Sequence, residues 1–407
     1  MKTYLVGGAV RDQLLDYPVR ERDWVVVGAT VEQMLALNYQ QVGKDFPVFL
    51  HPQTRDEHAL ARTERNTAPG YKGFEVHASP EVTLEEDLIR RDLTINAIAQ
   101  DEDGNIIDPY HGRADLQKKL LRHVSPAFSE DPVRILRVAR FAARYAHLGF
   151  KVAEETRELM QNMVSNGEAD ALVAERVWQE FHKALTERNP QVFIEVLKIC
   201  NALKTILPEI DALFGVPQPE LHHPEIDTGI HTLMVLKQAS LLTTDPATRF
   251  AALCHDLGKA LTPKEEWPSH HGHEANGKLP VQQLCKRLRI PNEYRELALI
   301  TAEFHLHVHR AFEIKKTTLL KTIEKLDGAR KPQRYEQFLI ACTADIRGRT
   351  GYESAPYPQA DYYRQALDII KGIDIQPLKD AGLVGKEMAA AIHTARLSAL
   401  NNQLQAH

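Results

Sequence analysis

Residues Tyr4 to Val27 read YLVGGAVRDQLLDYPVRERDWVVV. The apolar triplet Tyr4-Leu5-Val6 predicts a strand that runs into Gly7-Gly8 and then a short amphipathic helix with Val10, Leu14 and Leu15 on one side. Two adjacent glycines at a strand-to-helix turn let the backbone approach a bulky anion. Gly8 and Arg11 are therefore candidate nucleotide-binding residues, Arg11 bringing a planar fork that matches phosphate oxygens. After Pro18 and a charged turn, Asp23-Trp24-Val25-Val26-Val27 predicts a second strand. Side chains alternate along a strand, so Glu21 and Asp23 are expected on one side. Two carboxylates beside a glycine turn and an arginine are the makings of a magnesium site next to a triphosphate.

The order Gly-Gly, then paired carboxylates on the next strand, resembles the head of the DNA polymerase beta nucleotidyltransferase superfamily. The resemblance implies two metal ions held by Glu21 and Asp23; aspartate is usual at both positions, and here the first is Glu21. Phe46 to Leu50 and His58 to Thr63 predict further strands around a turn-rich Pro52 to Glu57, with Glu57 and Glu64 as candidates for a third carboxylate. Thr63 to Gly73, rich in glycine, proline and charge, predicts a mobile loop. Thr83 and Glu86 predict a capping box that opens a helix carrying Leu84, Leu88 and Ile89. That helix ends in RRDLTINA, Arg90 to Ala97, similar to the RRDxxxNA motif of tRNA nucleotidyltransferases and bacterial poly(A) polymerases. By that resemblance Arg91 contacts nucleotide phosphates and Asp92 the ribose hydroxyl, with Asn96 nearby. Ala97 to Ala99, the turn Asp103-Gly104, and Ile106 to Asp108 predict a closing hairpin, after which strand signals vanish.

Glu130 onwards reads EDPVRILRVARF, with Arg134, Arg137, Arg140 and Arg144 on one helical face and Ile135, Val138, Ala139 and Ala142 on another. A merely solvated face mixes signs, and this stripe does not. The block matches an EDxxRxxR motif. With the preceding motifs in order over about the first 145 residues, the chain resembles bacterial CCA-adding tRNA nucleotidyltransferases, the class that includes the eubacterial poly(A) polymerases. The resemblance implies that Asp131 and Arg134 act as an amino-acid template for the incoming base, with Arg137 and Arg140 also nucleotide-binding. Hydrogen-bond logic points the same way. Cytosine and adenine each present an amino donor beside a ring-nitrogen acceptor, which a carboxylate and a guanidinium can match; uracil and guanine present the reverse.

At 407 residues the chain is long enough for two or three domains. With 43% hydrophobic and 26% charged residues and a net charge of -5, any nucleic-acid surface must be a local basic patch. The four cysteines, Cys200, Cys254, Cys285 and Cys342, have no paired spacing and suit reduced, buried thiols. Arg11 and Asp12 interrupt the apolar start before it could form an export signal, and no apolar run reaches membrane-spanning length, so a cytoplasmic location is expected.

Pro217 to Pro224 reads as a linker to a second site. There His231 lies in an apolar helix, His255-Asp256 in ALCHDLGK, His273 in a histidine-rich loop, His305 in EFHLHVH and Asp345 in ADIRGR. Histidines and aspartates gathered from several helices suit a divalent transition metal such as nickel. The pattern resembles the HD phosphohydrolase superfamily, which implies a metal core of His231, His255, Asp256 and Asp345, with His273 and His305 as further ligands or phosphate contacts.

The expected fold is α+β: a small mixed-sheet nucleotidyltransferase head over 1–125, then an all-α neck over 126–220, an HD domain over 228–348 and a helical tail over 349–407. The expected activity is template-independent CCA addition to tRNA from CTP and ATP, with magnesium in the head. A metal-dependent phosphohydrolase, with 2′,3′-cyclic phosphodiesterase, 2′-nucleotidase and phosphatase activity, is expected in the HD domain, on a monomer or homodimer. A poly(A) polymerase, a signal-transducing uridylyltransferase with an HD domain and a non-catalytic RNA-binding protein are the alternatives; the neutral C-terminus and intact HD set disfavour the first, the much greater length of such chains the second, and the carboxylate pair and HD ligands the third.

Overall fold

The structure, a computed structural model, describes residues 1–19, 21–42, 48–66 and 74–404, with the backbone alone for 64–66 and 74–76. It divides into two compact units, Met1–Ile206 and Leu207–His407.

The first unit begins with strand β1 (Lys2–Val6), helix α1 (Gly8–Leu14) and strand β2 (Asp23–Val27), as the opening stretch predicts. Helix α2 (Val31–Ala36) and strands β3 (Gln40–Val42), β4 (Val48–Leu50) and β5 (Glu57–Leu60) follow. Strands β6 (Arg62–Asn66) and β7 (Phe74–Ala78) form a separate antiparallel ribbon. Thr63 to Asn66, expected in a mobile loop, is thus strand; the rest of that expectation falls on 67–73, outside the described residues. Helix α3 (Leu84–Ile89) has the expected capping box: Thr83 Oγ1 accepts from Glu86 N, and Glu86 Oε2 accepts from Thr83 N at 2.8 Å. Strands β8 (Ala99–Gln100) and β9 (Ile106–Ile107) close the hairpin. The main sheet runs β3-β4-β5-β2-β1-β8-β9, mixed in direction because β2 pairs parallel to β5 and antiparallel to β1.

Strand alternation divides the core. Val25 packs with Val6, Leu84, Leu88 and Ala99 beneath α3, whereas Val26 packs with Met34, Phe49 and Leu60 on the other face. Asp23, two residues before Val25, therefore opens on the α3 side. Helix α1 departs from expectation: it buries Val10, Arg11 and Asp12 and leaves Leu14 38% exposed. Arg11 and Asp12 are tolerated inside because each is paired.

Helix α4 (Gly112–Lys118) leads to strand β10 (Leu120–Leu121), helix α5 (Val133–Tyr145) and strand β11 (Lys151–Val152). The pairing of β10 with β11, a two-stranded parallel ribbon, departs from the expected all-helical remainder. Helices α6 (Glu154–Ser165), α7 (Ala174–Thr186) and α8 (Gln191–Ile199) complete the unit, α5 packing on α7 and α8.

The second unit is helical among the described residues. Helices Thr228–Leu242, Pro246–Cys254, Asn292–His309 and Pro332–Arg347 pack around a centre where Val235, Ala239, Ala252, Ala341 and Ala344 let the backbones come close. The stretch read as a linker is built into this unit: Gln218 N donates to Ile226 O at 2.7 Å, and Lys259 Nζ donates to Gln218 Oε1 at 2.5 Å. Helices Pro358–Lys371, Gln376–Asp380 and Gly385–Gln403 follow. All four cysteines are buried and unpaired, and no helix among the described residues is long and apolar enough to cross a membrane.

Candidate functional sites in the two units

In the first unit a cleft of about 750 Å³ is lined by Gly7, Gly8, Glu21, Asp23, Glu57, Asp92, Asn96 and Asp131, together with nine arginines and one lysine. The ladder explains the acidic wall: Val6 lies opposite Asp23, and Asp23 lies opposite Glu57 in the parallel pair β2-β5. Registered residues on neighbouring strands face the same way, so Glu57 joins Glu21 and Asp23 as a third carboxylate. The side chain of Glu64 lies outside the described residues. Asp23 is open to the cleft yet closely walled: desolvation raises its carboxyl above the ordinary value, Arg91 opposes the rise and Glu21 adds to it. Three carboxylates on one wall fit a hard divalent cation.

Gly7 is the tightest point of the turn. Its φ of 66° lies in the left-handed region, and a Cβ there would stand 2.8 Å from Arg91 Nη1. Facing the carboxylates, Arg11 donates to Asn96 Oδ1 at 2.5 Å and to Asp12 at 2.9 Å. Asp12 also accepts from Tyr145 OH at 2.7 Å and Arg144 at 3.0 Å. Asp92 accepts from Arg137 Nε at 2.6 Å, Asn96 Nδ2 at 2.8 Å and its neighbour's Leu93 N at 2.8 Å. Burial pushes the Asp92 carboxyl up, but Arg137, Asn96 and Arg134 together outweigh it and hold the group well below the usual range. Arg140 pairs with Glu180 at 2.6 Å and lies over the Phe141 ring, 4.3 Å from its centroid.

The proposed template residues, Asp131 and Arg134, both line the cleft, but each engages protein groups. Arg134 donates to Ala127 O at 2.8 Å and Arg90 O at 2.7 Å. Asp131 is gripped by the fork of Arg176 at 3.0 and 2.8 Å. Arg176 and Lys183 come from α7, where the sequence shows no chemical motif; regular arginine spacing would have been the only clue, and it is absent.

Arg91 donates to Asp87 Oδ2 at 3.2 Å, and its Nε is buried without a hydrogen-bond partner. Arg90 grips Asp87 Oδ1 at 2.7 Å. Burial raises the Asp87 carboxyl, but Arg91 and Arg90 prevail and lower it below 3.8. A lowered folded value means that the stabilisation is complete above the unfolded 3.8 and is lost as the pH falls through the folded value. Asp87→Ala should therefore cost about 3 kcal/mol at pH 7, since it strands two arginines beside a buried site. The deficit, read by urea denaturation at pH 7 and again near pH 3, should shrink at the lower pH.

In the second unit, His231 comes from helix Thr228–Leu242, His255-Asp256 from the end of Pro246–Cys254, His305 from Asn292–His309 and Asp345 from Pro332–Arg347. His273 opens the short helix His273–Asn276, seated against Gly258, where a Cβ would stand 2.0 Å from His273 O. His255 Nε2 lies 3.1 Å from Asp256 and 3.6 Å from Asp345; His231 Nε2 lies 3.1 Å from Asp345. His273 and His305 turn Nε2 toward Asp256 Oδ1 at 3.3 and 3.7 Å.

The opposite ring nitrogens are all engaged. Nδ1 of His255 meets Ala252 O at 2.7 Å, that of His273 meets His270 O at 2.9 Å, and that of His305 meets Thr301 O at 3.0 Å. A carbonyl accepts only, so each Nδ1 carries a proton, and in the neutral ring each Nε2 keeps the lone pair that a metal ion requires. His255 Nε2, His273 Nε2 and Asp256 Oδ1 are buried with no hydrogen-bond partner. Buried ligand atoms left unsatisfied by protein fit a transition cation of borderline softness. Among the described residues, three groups are close enough to share an ion: His231-His255-Asp345, Asp256-His273-His305 and, on the outer side of His231, His223-Glu225-His231.

Sequence reasoning missed the surrounding groups. Lys259 Nζ stands 2.7 Å from Asp256, and His309 Nε2 stands 2.6 Å from Asp345 while its Nδ1 meets Tyr357 OH at 2.7 Å. Burial opposes charge on both aspartates, but the cationic neighbours prevail and hold them well below the usual carboxylate range.

The model of the poly A polymerase head domain matches residues 3–122, that of the probable RNA and SrmB-binding site of polymerase A matches 149–214, and that of the HD domain matches 228–340. The multifunctional CCA protein of Thioalkalivibrio sulfidiphilus is 64% identical over 406 residues, covering 100% of this chain and 99% of its own. That of Teredinibacter turnerae is 60% identical over 397 residues, covering 98% and 97%. The CCA-adding enzyme of Bacillus stearothermophilus, solved in complex with CTP, shares the fold with a TM-score of 0.65 at 22% identity, over 99% of this chain and 90% of its own. With relatives this close over their full length, the chain belongs to the multifunctional CCA protein family, the tRNA nucleotidyltransferases that carry an HD domain.

Proposed function

We propose that the first unit adds C, C and A to tRNA 3′ ends from CTP and ATP, without a nucleic-acid template. The observation that carries this reading is the two-sided cleft, with Glu21, Asp23 and Glu57 on one wall and a row of arginines opposite. Magnesium, when held by Glu21 and Asp23 with Glu57 beside them, supplies activation of the attacking 3′-hydroxyl and charge neutralisation at the α-phosphate. Arg11 and Arg91 bind phosphate oxygens, and the Gly7-Gly8 backbone gives the triphosphate room. Asp92, locked by Arg137 and Asn96, presents an ionised acceptor for a ribose hydroxyl. Asp131 and Arg134 read the base edge, and Arg137 and Arg140 line the same pocket. In support, the solved relatives with this fold include a Thermotoga maritima CCA-adding enzyme complexed with tRNA and others complexed with ATP and with CTP. Incubation with tRNA lacking its 3′ end and each labelled nucleotide separately tests the reading: ordered C, C, A incorporation is expected, and a run of A alone would overturn it.

Arg134→Ala should degrade discrimination against UTP and GTP more than it weakens triphosphate binding. Losing a base-edge donor costs selectivity of about 1–3 kcal/mol, a factor of roughly 5 to 150. Misincorporation ratios measured beside KM decide the matter, and a uniformly raised KM with unchanged ratios would leave Arg134 a structural residue.

For the second unit we infer a metal-dependent phosphohydrolase acting on 2′,3′-cyclic phosphates, 2′-nucleotides and simple phosphomonoesters. His231, His255, Asp256 and Asp345 would hold the ion, with His273 and His305 adjoining; nickel, cobalt and manganese suit this donor set better than magnesium. The bound ion supplies a hydroxide near neutral pH. Lys259 and Arg349, close to Asp256 and Asp345, supply positive charge for the phosphoryl oxygens.

A further inference from the structure

Glu225 lies in the segment that the sequence presents as a proline-rich connection, yet its side chain is only 2% exposed. Its Oε1 stands 2.9 Å from His231 Nδ1 and 3.0 Å from His223 Nδ1, and its Oε2 accepts from Thr350 N at 3.3 Å. The His231 contact is off the ideal hydrogen-bond line. An ion held by His231 Nε2 together with His255 and Asp345 takes the Nε2 lone pair, however, which leaves the ring proton on Nδ1, beside Glu225 Oε1. That proton fixes the tautomer: His231 is protonated on Nδ1, and its Nε2 lone pair points at the space between Asp345 Oδ1, 3.1 Å away, and Asp256 Oδ2, 4.0 Å away.

Among the four imidazoles of the cluster, His231 differs in one respect. His255, His273 and His305 rest Nδ1 on backbone carbonyls three or four residues earlier in their own helical turns, whereas His231 depends on a side chain from outside its helix. The chain fixes that side chain on both flanks. Ile226 adopts a φ of 60°, unusual for a β-branched residue, and its N donates to His223 O at 2.8 Å. Asp227 then caps the helix that bears His231, accepting from Ile230 N at 2.9 Å. Cap, carboxylate and histidine are thus one local construction.

We propose that Glu225 is the positioning residue of this centre: it holds His231 in the Nδ1-protonated tautomer, with Nε2 aimed at the metal position, and strengthens that nitrogen as a ligand. The proposal rests on reading the cluster as a metal centre. It makes Glu225, which would touch neither metal nor substrate, a determinant of metal affinity. His223 shares the carboxylate from the far side, its ring centroid 4.7 Å from that of His231 and nearly perpendicular to it, and acts as packing for the pair.

Full-length Glu225→Ala, Glu225→Gln and His223→Ala proteins, stripped by chelator and titrated with cobalt(II) alone, test this through the visible absorption of the bound ion. Wild type is expected to bind, and Glu225→Ala to bind about 10- to 100-fold more weakly with an altered spectrum. Glu225→Gln, whose Oε1 still accepts from Nδ1 but without charge, should fall between them and keep the wild-type melting temperature. His223→Ala should stay within about threefold of wild type, as expected for a group outside the ligand set. Affinity and spectrum unchanged in both Glu225 variants would overturn the proposal while leaving the metal centre standing. Wild-type protein that binds no divalent ion would overturn both.

Discussion

Asp23→Asn is expected to lower nucleotide addition about a thousandfold in kcat, or about 4 kcal/mol of transition-state stabilisation, while hydrolysis by the second unit is untouched. The carboxylate stands at the junction of β1, β2 and β5, opposite Val6 on one side and Glu57 on the other, where an amide of the same shape carries no charge and is a much weaker ligand for a hard cation. The variant should not lose stability. Because Asp23 has a raised pKa in the folded chain, its ionised form opposes folding above that pKa, and removing the charge relieves the cost. A melting temperature equal to or above wild type, with addition lost, is the expected pair of results. Every proposed ligand of the second centre lies within Leu207–His407. Parallel loss of phosphohydrolase activity in a normally folded Asp23→Asn protein would therefore break the two-centre account, and addition retained above a tenth of wild type would remove Asp23 from the metal site.

What could be read in the sequence was whatever a local pattern carries. The strand, Gly-Gly turn, helix and carboxylate strand occur in the expected order, and so does the capping box at Thr83. The arginines of α5 come out on one face because a helical period of 3.6 leaves no other choice. His231, His255, Asp256, His273, His305 and Asp345 converge, although up to 114 residues separate His231 from Asp345.

Partner choice was not legible, because it is set by register and packing. Glu57 and Glu64 were equivalent until β5 paired with β2 and put Glu57 opposite Asp23. Leu14 looked like the buried side of α1, yet Arg11 and Asp12 occupy it, since Asn96, Tyr145 and Arg144 satisfy their charges. Arg176 binds Asp131 across 45 residues from an otherwise ordinary helix. Glu225 hid among prolines because linker composition does not reveal that a segment's backbone is hydrogen-bonded into the unit it precedes.

His255→Ala should reduce hydrolysis of a 2′,3′-cyclic phosphate and of simple phosphomonoesters to background while CCA addition stays within about twofold of wild type. Imidazole loss removes a ligand that stands close to both aspartates, 3.1 and 3.6 Å away, and with it both metal affinity and the capacity to form hydroxide near neutral pH. At the neighbouring position the choice of substitution matters. Asp256→Ala would leave Lys259 buried without its anion, a defect worth about 3 kcal/mol in its own right. Asp256→Asn keeps shape and an acceptor oxygen, so activity lost in that variant reports on ligation more than on folding. Chelator-stripped wild type should regain hydrolysis best with nickel, cobalt or manganese, because imidazole-rich coordination favours them over magnesium. The competing account makes His255 and Asp256 simple pins between helices. It predicts variants that melt early, no metal that co-purifies or restores activity, and wild-type protein inert toward phosphoesters with every divalent ion tried. Loss of hydrolysis with the melting temperature held in Asp256→Asn, and recovery in wild type on adding a transition ion, would together exclude it.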